Sequence, residues 1–297
     1  MIVARYIAKY IAKCIAKCIA KHIARCIALA ALLFASSLQA DSKLLATSGT
    51  QSFEGQAGGG ITPWALIAGY GDVGEWGGSL AASNLRLDDF ELDVAGIAVS
   101  YGNRLEISAA RQTLDVAPLG LEIEQDVVSV KARVAGDAIY GAIPAITLGA
   151  QHKHNRDFAV PGLLGAKRDS GVDYTASIGK LWLNGMFGRN VFTNLTLRHN
   201  QANQTGLLGF GSTDGSGDRL MVEAAAAVFL NRHLAVGLEY RQKPDNLDAV
   251  AEDDWMDVFV AWFPSKRVSF VGAYTELGSI AGLDKQAGFF FSLQITQ

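Results

Sequence analysis

Few residues in this chain are placed to do chemistry. His152 and His154, in the run QHKHN, stand two apart, so an extended chain puts both on one face, and such a pair can contribute two metal ligands. No cysteine and no evident third ligand lies near them, and a solvated strand end is the ordinary reading. Lipolytic chemistry needs a serine activated by a histidine, and none of the five histidines has a serine as a close neighbour in sequence. The acidic pairs Asp88-Asp89 and Asp253-Asp254 suggest carboxylate proteolysis, but acidic pairs at loop ends are usually solvated. The stretch 244–254 gathers Asp245, Asp248, Glu252, Asp253 and Asp254, a density suited to Ca²⁺ bridging to phosphates or to a soluble loop. Gly58-Gly59-Gly60 lacks the following Gly-Lys-Ser/Thr of a phosphate loop and reads as a turn. No catalytic, cofactor-binding or metal-binding set emerges.

The elements around these residues alternate with a period of two. In HLAVGLEYRQK, Leu234, Val236, Leu238 and Tyr240 share one face, and Ala235, Gly237, Glu239 and Arg241 share the other. In the second arm, DWMDVFVAWFP, both faces are apolar and only Asp257 marks an inner side, so side chains there would close a lumen. Similar runs begin at Trp64, Trp76, Asp89, Arg104, Ile123, Pro144, Val172, Phe192, Arg219, Val268 and Gln286, with Gly, Asn and Asp clusters between them. Strands of about ten residues joined by alternating short and long connections predict an all-β, transmembrane, antiparallel up-and-down β-barrel. The short connections are Tyr101–Asn103, Leu230–Arg232 and Pro264–Arg267; the long ones are Asn155–Gly171, Ala202–Asp218, Pro244–Asp253 and Leu277–Lys285. Short turns of such barrels face the periplasm, which puts the C-terminus there. Counting from Trp64 and adding a weak strand at Thr50–Gln56 predicts about fourteen strands, with twelve as the alternative; an even count closes the barrel.

Charge on a lipid-facing strand surface costs a few kcal/mol at mid-membrane. Asp93, Glu106, Lys131, Arg133, Arg198, Glu223, Glu239 and Arg241 are therefore expected to line the lumen. They make either a polar pore or an ion-pair network that fills the barrel. Leu207, Leu208 and Phe210 lie in a long outer connection where an apolar cargo would enter.

Residues 1–26 repeat the unit IAKY, IAKC, IAKC, IAKH, IARC; an apolar run from Ile27 to Phe34 and a small-x-small end at Ala40 follow. This is the pattern of a signal peptide cleaved after Ala40, with residues 41–297 as the barrel and 41–62 as a polar N-terminal segment carrying the weak first strand. The leader holds all three cysteines, six of the 26 basic residues and none of the 29 acidic ones, which leaves 20 basic against 29 acidic, a net charge of about −9. That balance argues against nucleic acid as a partner.

The stretches FEGQAGGGITPWALIAGYG (53–71), KARVAGDAIY (131–140), GLLGFG (206–211) and EYRQKPDNLDAVAEDDWMDVFVAWFP (239–264) closely resemble a family of uncharacterised Gram-negative proteins, a domain of unknown function for which an outer-membrane location is expected. The resemblance spans nearly all of 41–297 and implies no cofactor and no site residues. The expected partners are outer-membrane lipids, lipopolysaccharide and the barrel-assembly machinery, which usually reads a terminal strand such as Phe289, Phe291, Leu293, Ile295, although this chain ends in Gln297 rather than an aromatic. The expected function is passage of small solutes or apolar compounds, with a barrel hydrolase or a plugged structural barrel as alternatives.

Overall fold

The computed structural model describes residues 43–212, 219–247 and 252–297. The chain divides into Met1–Ala40 and Asp41–Gln297. The leader reading of residues 1–40 and Asp248 of the acidic loop fall outside the described residues.

Two short strands, β1 (Thr50–Gln51) and β2 (Ala57–Gly58), form a hairpin of their own. Twelve further strands close into one barrel. These are β3 (Trp76–Leu87), β4 (Phe90–Tyr101), β5 (Leu105–Val116), β6 (Leu121–Ala135), β7 (Ala145–Asn155) and β8 (Ser170–Met186). They continue as β9 (Arg189–Asn200), β10 (Arg219–Asn231), β11 (Leu234–Arg241), β12 (Trp255–Trp262), β13 (Val268–Ile280) and β14 (Leu283–Thr296). Each pairs antiparallel with its neighbour in sequence, and β14 returns to β3 from Gly288↔Leu87 to Thr296↔Ser79. Closure leaves no strand edge unpaired, the condition for crossing a bilayer with strands.

The outward faces explain the solvent they need. Ile107, Val128, Val130, Leu148, Leu238, Val258, Phe291 and other large apolar side chains point away from the barrel and stand exposed on its outer surface. An apolar belt of that extent calls for lipid. Aromatic pairs lie along it: Trp76 with Tyr101 at 5.0 Å and Trp262 with Phe270 at 5.3 Å toward the end that carries Gln297, and Tyr274 with Phe289 at 5.5 Å farther along. We call the Gln297 end the inner end; short turns of membrane barrels face the periplasm.

Several expectations need correction. Trp64–Gly71 is not a wall strand, and Thr50–Gln51 pairs only with Ala57–Gly58, so the barrel has the alternative count of twelve strands rather than fourteen. Leu277–Lys285 is not a long loop: β13 and β14 run on to a tight turn at Ala281-Gly282, where both residues have positive φ, 52° and 82°. Asp93 does not line the lumen. It lies exposed on the outward face of β4, where its carboxylate accepts a bond from the Asn84 amide at 2.8 Å, while Phe90, Leu92 and Val94 point inward. The cause is strand length. The outer halves of β3–β6 carry outward ion pairs, Arg86–Glu91 at 2.9 Å and Arg111–Asp126 at 2.8 Å, above the apolar belt. Inside that rim the wall is apolar, so charge marks the outer face there and the inner face lower down.

Candidate functional site: a filled lumen

The residues before β3 do not leave the barrel. Residues 45–71 are almost entirely buried, and their backbone is irregular apart from the β1–β2 hairpin. Irregular backbone at membrane depth must be satisfied by protein. Here wall side chains do it, from strands all round the barrel.

The hairpin tip carries Glu54. Its Oε1 meets Lys153 Nζ at 2.6 Å and Arg241 Nη2 at 2.8 Å, and its Oε2 meets Arg198 Nη2 at 3.0 Å. Arg198 also pairs with Glu223 at 2.5 Å and Asp173 at 3.0 Å, and Lys153 with Asp173 at 2.7 Å. Three cations and three carboxylates thus balance, all with side chains at most 3% exposed. Buried charges at this depth persist only when paired and hydrogen-bonded on all sides.

The glycine run binds an anion, but an internal one. Glu239 of β11 accepts bonds from Gly60 N at 2.6 Å, Ile61 N at 2.9 Å, Trp64 Nε1 at 3.0 Å and the Thr62 hydroxyl. A Cβ on Gly59 would lie 2.2 Å from Glu239 Oε1, so only glycine lets the carboxylate approach. On the opposite wall Glu106 accepts Ala57 N at 3.0 Å and Ala68 N at 2.8 Å, and Lys131 Nζ donates to Ala57 O at 2.8 Å. Asn194 accepts Ala65 N at 2.8 Å and donates to Pro63 O at 3.3 Å.

Glu106, Lys131, Arg198, Glu223, Glu239 and Arg241 therefore face inward and meet the N-terminal segment or one another, while Arg133 lies lower and pairs with Asp137 at 2.8 Å. Glu54, Lys153 and Asp173 escaped the sequence reading. Lys153 sits between the two histidines, at the position whose side chain turns inward when theirs turn out; that parity was the available signal. His152 and His154 are exposed on the outward face. Among the described residues, no three His, Cys, Asp or Glu side chains converge to hold a metal.

Two loops seal the outer end. Residues 203–206 form a 3-10 turn, and Leu207, Leu208 and Phe210 are buried beneath it rather than open to solvent. Glu252, from the acidic loop, accepts Gln204 N at 2.9 Å and pairs with Lys243 at 2.9 Å. Burial pulls the Lys243 ammonium down and pushes the Glu252 carboxyl up from their ordinary ranges. The described part of that loop is thus a latch: Asp253 accepts Ser279 N at 2.7 Å, and Asp254 accepts Lys243 N at 2.9 Å. Lys153 Nζ also donates to Thr205 O at 3.1 Å, which ties the outer seal to Glu54.

Above and below the charged belt the interior is apolar. Under the outer loops a small cavity of about 50 Å³ is walled by Leu92, Leu114, Ile123, Leu208, Trp255 and Ile280 among others. At the inner end a cavity of about 610 Å³ lies among Leu45, Trp64, Leu66, Phe192, Phe229, Phe259 and Phe263. Trp64 packs on Phe192 at 4.8 Å and on Phe259 at 6.1 Å between ring centroids.

Lys43 closes the inner side of the segment by donating to Gly69 O at 3.0 Å. Burial, aided by the Arg133 charge, lowers its pKa to about 8. The folded state thus binds fewer protons than the unfolded chain between about pH 8 and the ordinary lysine value near 10.4, and stability rises with pH across that window. The cost is fully present below about pH 8. Relative to Lys43→Met, the wild type should gain on the order of 3 kcal/mol between pH 8 and 10.5; parallel thermal unfolding of both proteins over this range measures it.

Fold and interior together define a membrane β-barrel of the outer-membrane type whose lumen is filled by its own N-terminal segment. The chain belongs to the family described as Protein of unknown function (DUF3034), whose model matches residues 47–294. No curated protein matches the sequence. Among solved structures it is similar in fold to the KdgM porin, with 10% identity, TM-score 0.48, and 73% of this chain and 98% of that one covered. The NanC porin aligns at 9% identity and TM-score 0.45 over 74% and 98% of the two chains. The COG4313 outer membrane channel from Pseudomonas putida F1 aligns at 13% identity and TM-score 0.44 over 76% and 96%.

Proposed function

We propose that this protein sits in the outer membrane, binds small apolar compounds and passes them across by displacing the segment that fills its lumen. The supporting observation is the inner-end cavity: about 610 Å³, within the ~300–1,000 Å³ of small-molecule sites, and walled mainly by apolar and aromatic side chains. Free diffusion of polar solutes fits less well. Glu54, Lys153, Asp173, Arg198, Glu223 and Arg241 occupy the middle of the lumen with no side chain more than 3% exposed. In this reading lipopolysaccharide headgroups meet the outward ion pairs of β3–β6, and the barrel-assembly machinery reads β14.

Refolded protein in planar bilayers tests it together with titration of a fluorescent apolar dye. The expected result is saturable dye binding without steady conductance steps. A steady open-pore current from the wild type, or dye uptake no greater than that of empty bilayers, overturns the proposal.

A further inference from the structure

The inner-end cavity has a polar rim of one character. Its lining includes Arg189 and Arg232 and no aspartate or glutamate. Both arginines are exposed, and neither has an acidic partner within ion-pair distance among the described residues. Each is held by one bond: Arg189 Nη1 donates to Leu230 O, and Arg232 Nε donates to His233 Nε2 at 2.8 Å. Their remaining N–H groups are left to donate elsewhere. The neighbouring carboxamides add to this. Asn190 Oδ1 already accepts Asn184 N at 3.1 Å, and Asn231 Oδ1 accepts His233 N at 2.7 Å. The oxygen of each is thus engaged within the chain, and their amide NH₂ groups are further donors beside the arginines. The rim carries two positive charges and no acidic side chain.

The floor is the reverse. The Trp64 indole N–H is taken by Glu239 Oε1 at 3.0 Å and Thr62 Oγ1 at 3.1 Å, so the ring offers the cavity only its apolar surface. With Phe192 and Phe259 against it, the floor holds no free polar atom of Trp64 to reward a polar ligand tail.

We infer that this cavity takes a single-chain amphiphile with one oxyanion head group, its apolar body on Trp64, Phe192 and Phe259 and its head at Arg189 and Arg232. The inference rests on the reading of the cavity as a site for apolar compounds and adds the charge of the head. A guanidinium pair matches a carboxylate or phosphate through paired N–H donors and repels a cationic head. The volume admits one chain, whereas a membrane phospholipid brings two.

The test uses the full refolded protein in zwitterionic-lipid nanodiscs, with empty nanodiscs subtracted. The probes are a fluorescent long-chain fatty acid, its methyl ester, the matching monoalkyl phosphate and an alkyl trimethylammonium. The acid and the phosphate are expected to bind saturably, the ester at least tenfold more weakly and the cation not at all. Arg189→Gln with Arg232→Gln should bring the acid to the level of the ester. Ala227→Phe, which fills the cavity from the wall, should weaken all of them. Equal binding of acid and ester, unchanged by the arginine pair, overturns the oxyanion head but leaves the apolar site standing. Absence of saturable binding by any probe removes both. Displacement of the acid by a two-chain anionic phospholipid as readily as by the monoalkyl phosphate overturns the single-chain assignment.

Discussion

Glu54→Gln is expected to cost about 3–5 kcal/mol and to loosen the lumen, because it breaks a buried ion network from one side. The side chain keeps its shape, so packing hardly changes. What changes is charge: Lys153, Arg198 and Arg241 are left with two carboxylates, Asp173 and Glu223, in a belt from which water is excluded. Lys153 and Arg241 lose most, because each keeps a single carboxylate, Asp173 and Glu223 respectively, whereas Arg198 keeps both. The effect spreads outward, since Lys153 also holds Thr205 O of the outer seal. The expected readouts are a lower unfolding temperature, protease cleavage within residues 43–72 and conductance steps that the wild type lacks. Adding Lys153→Met restores the balance of charge and should recover most of the stability. A Glu54→Gln protein as stable and as closed as the wild type would mean that the network does not hold the segment in place.

The wall of this barrel was open to reading because a wall strand writes itself locally. Leu105, Ile107 and Ala109 alternate with Glu106, Ser108 and Ala110 whatever the neighbouring strands are, and most of the barrel strands carry some such signature, β12 with its two apolar faces least. The contents of the lumen are not written that way. WALIAGYG has the composition of a strand, yet its Ala65 and Ala68 amides pair with the side chains of Asn194 and Glu106, 129 and 38 residues away. Nothing in the local pattern distinguishes an amide that seeks a neighbouring strand from one that seeks a distant carboxylate. Parity has a related blind spot. It separates Asp93 from Leu92 but does not say which of them faces in, and the assumption that charge faces in fails once a strand rises past the lipid. Leu207 and Leu208 illustrate the same point from the loop side: they needed burial, and the apolar rim of β3–β6 supplies it, while Phe210 lies against Gly171 and Gly206.

The glycine run gives the second large expected effect. Gly59→Ala should destabilise the protein by about 3 kcal/mol or more, combining a steric cost of about 1–3 kcal/mol with weakened bonds to a buried carboxylate. Gly59 has no positive φ, so the backbone itself tolerates alanine. The obstacle is Glu239: the new methyl would lie 2.2 Å from Oε1, 2.5 Å from Cδ and 2.6 Å from Oε2. A flexible side chain would normally swing aside, but this one is held by Gly60 N, Ile61 N, Trp64 Nε1 and the Thr62 hydroxyl. Its neighbour across the β11–β12 ladder is Asp257, itself buried, so retreat in that direction meets a second packed side chain. Gly272→Ala is the matched control. It lies in β13, where an added methyl meets only the Phe291 ring at 3.8 Å, and it should change stability by less than about 0.5 kcal/mol. Urea unfolding of the two variants side by side separates a seated carboxylate from a merely tight turn. If Gly59→Ala behaves like Gly272→Ala, Glu239 has room to move and cannot be what anchors the turn; if it fails alone, Gly59 is the position that lets one wall carboxylate reach the backbone of the segment that fills the barrel.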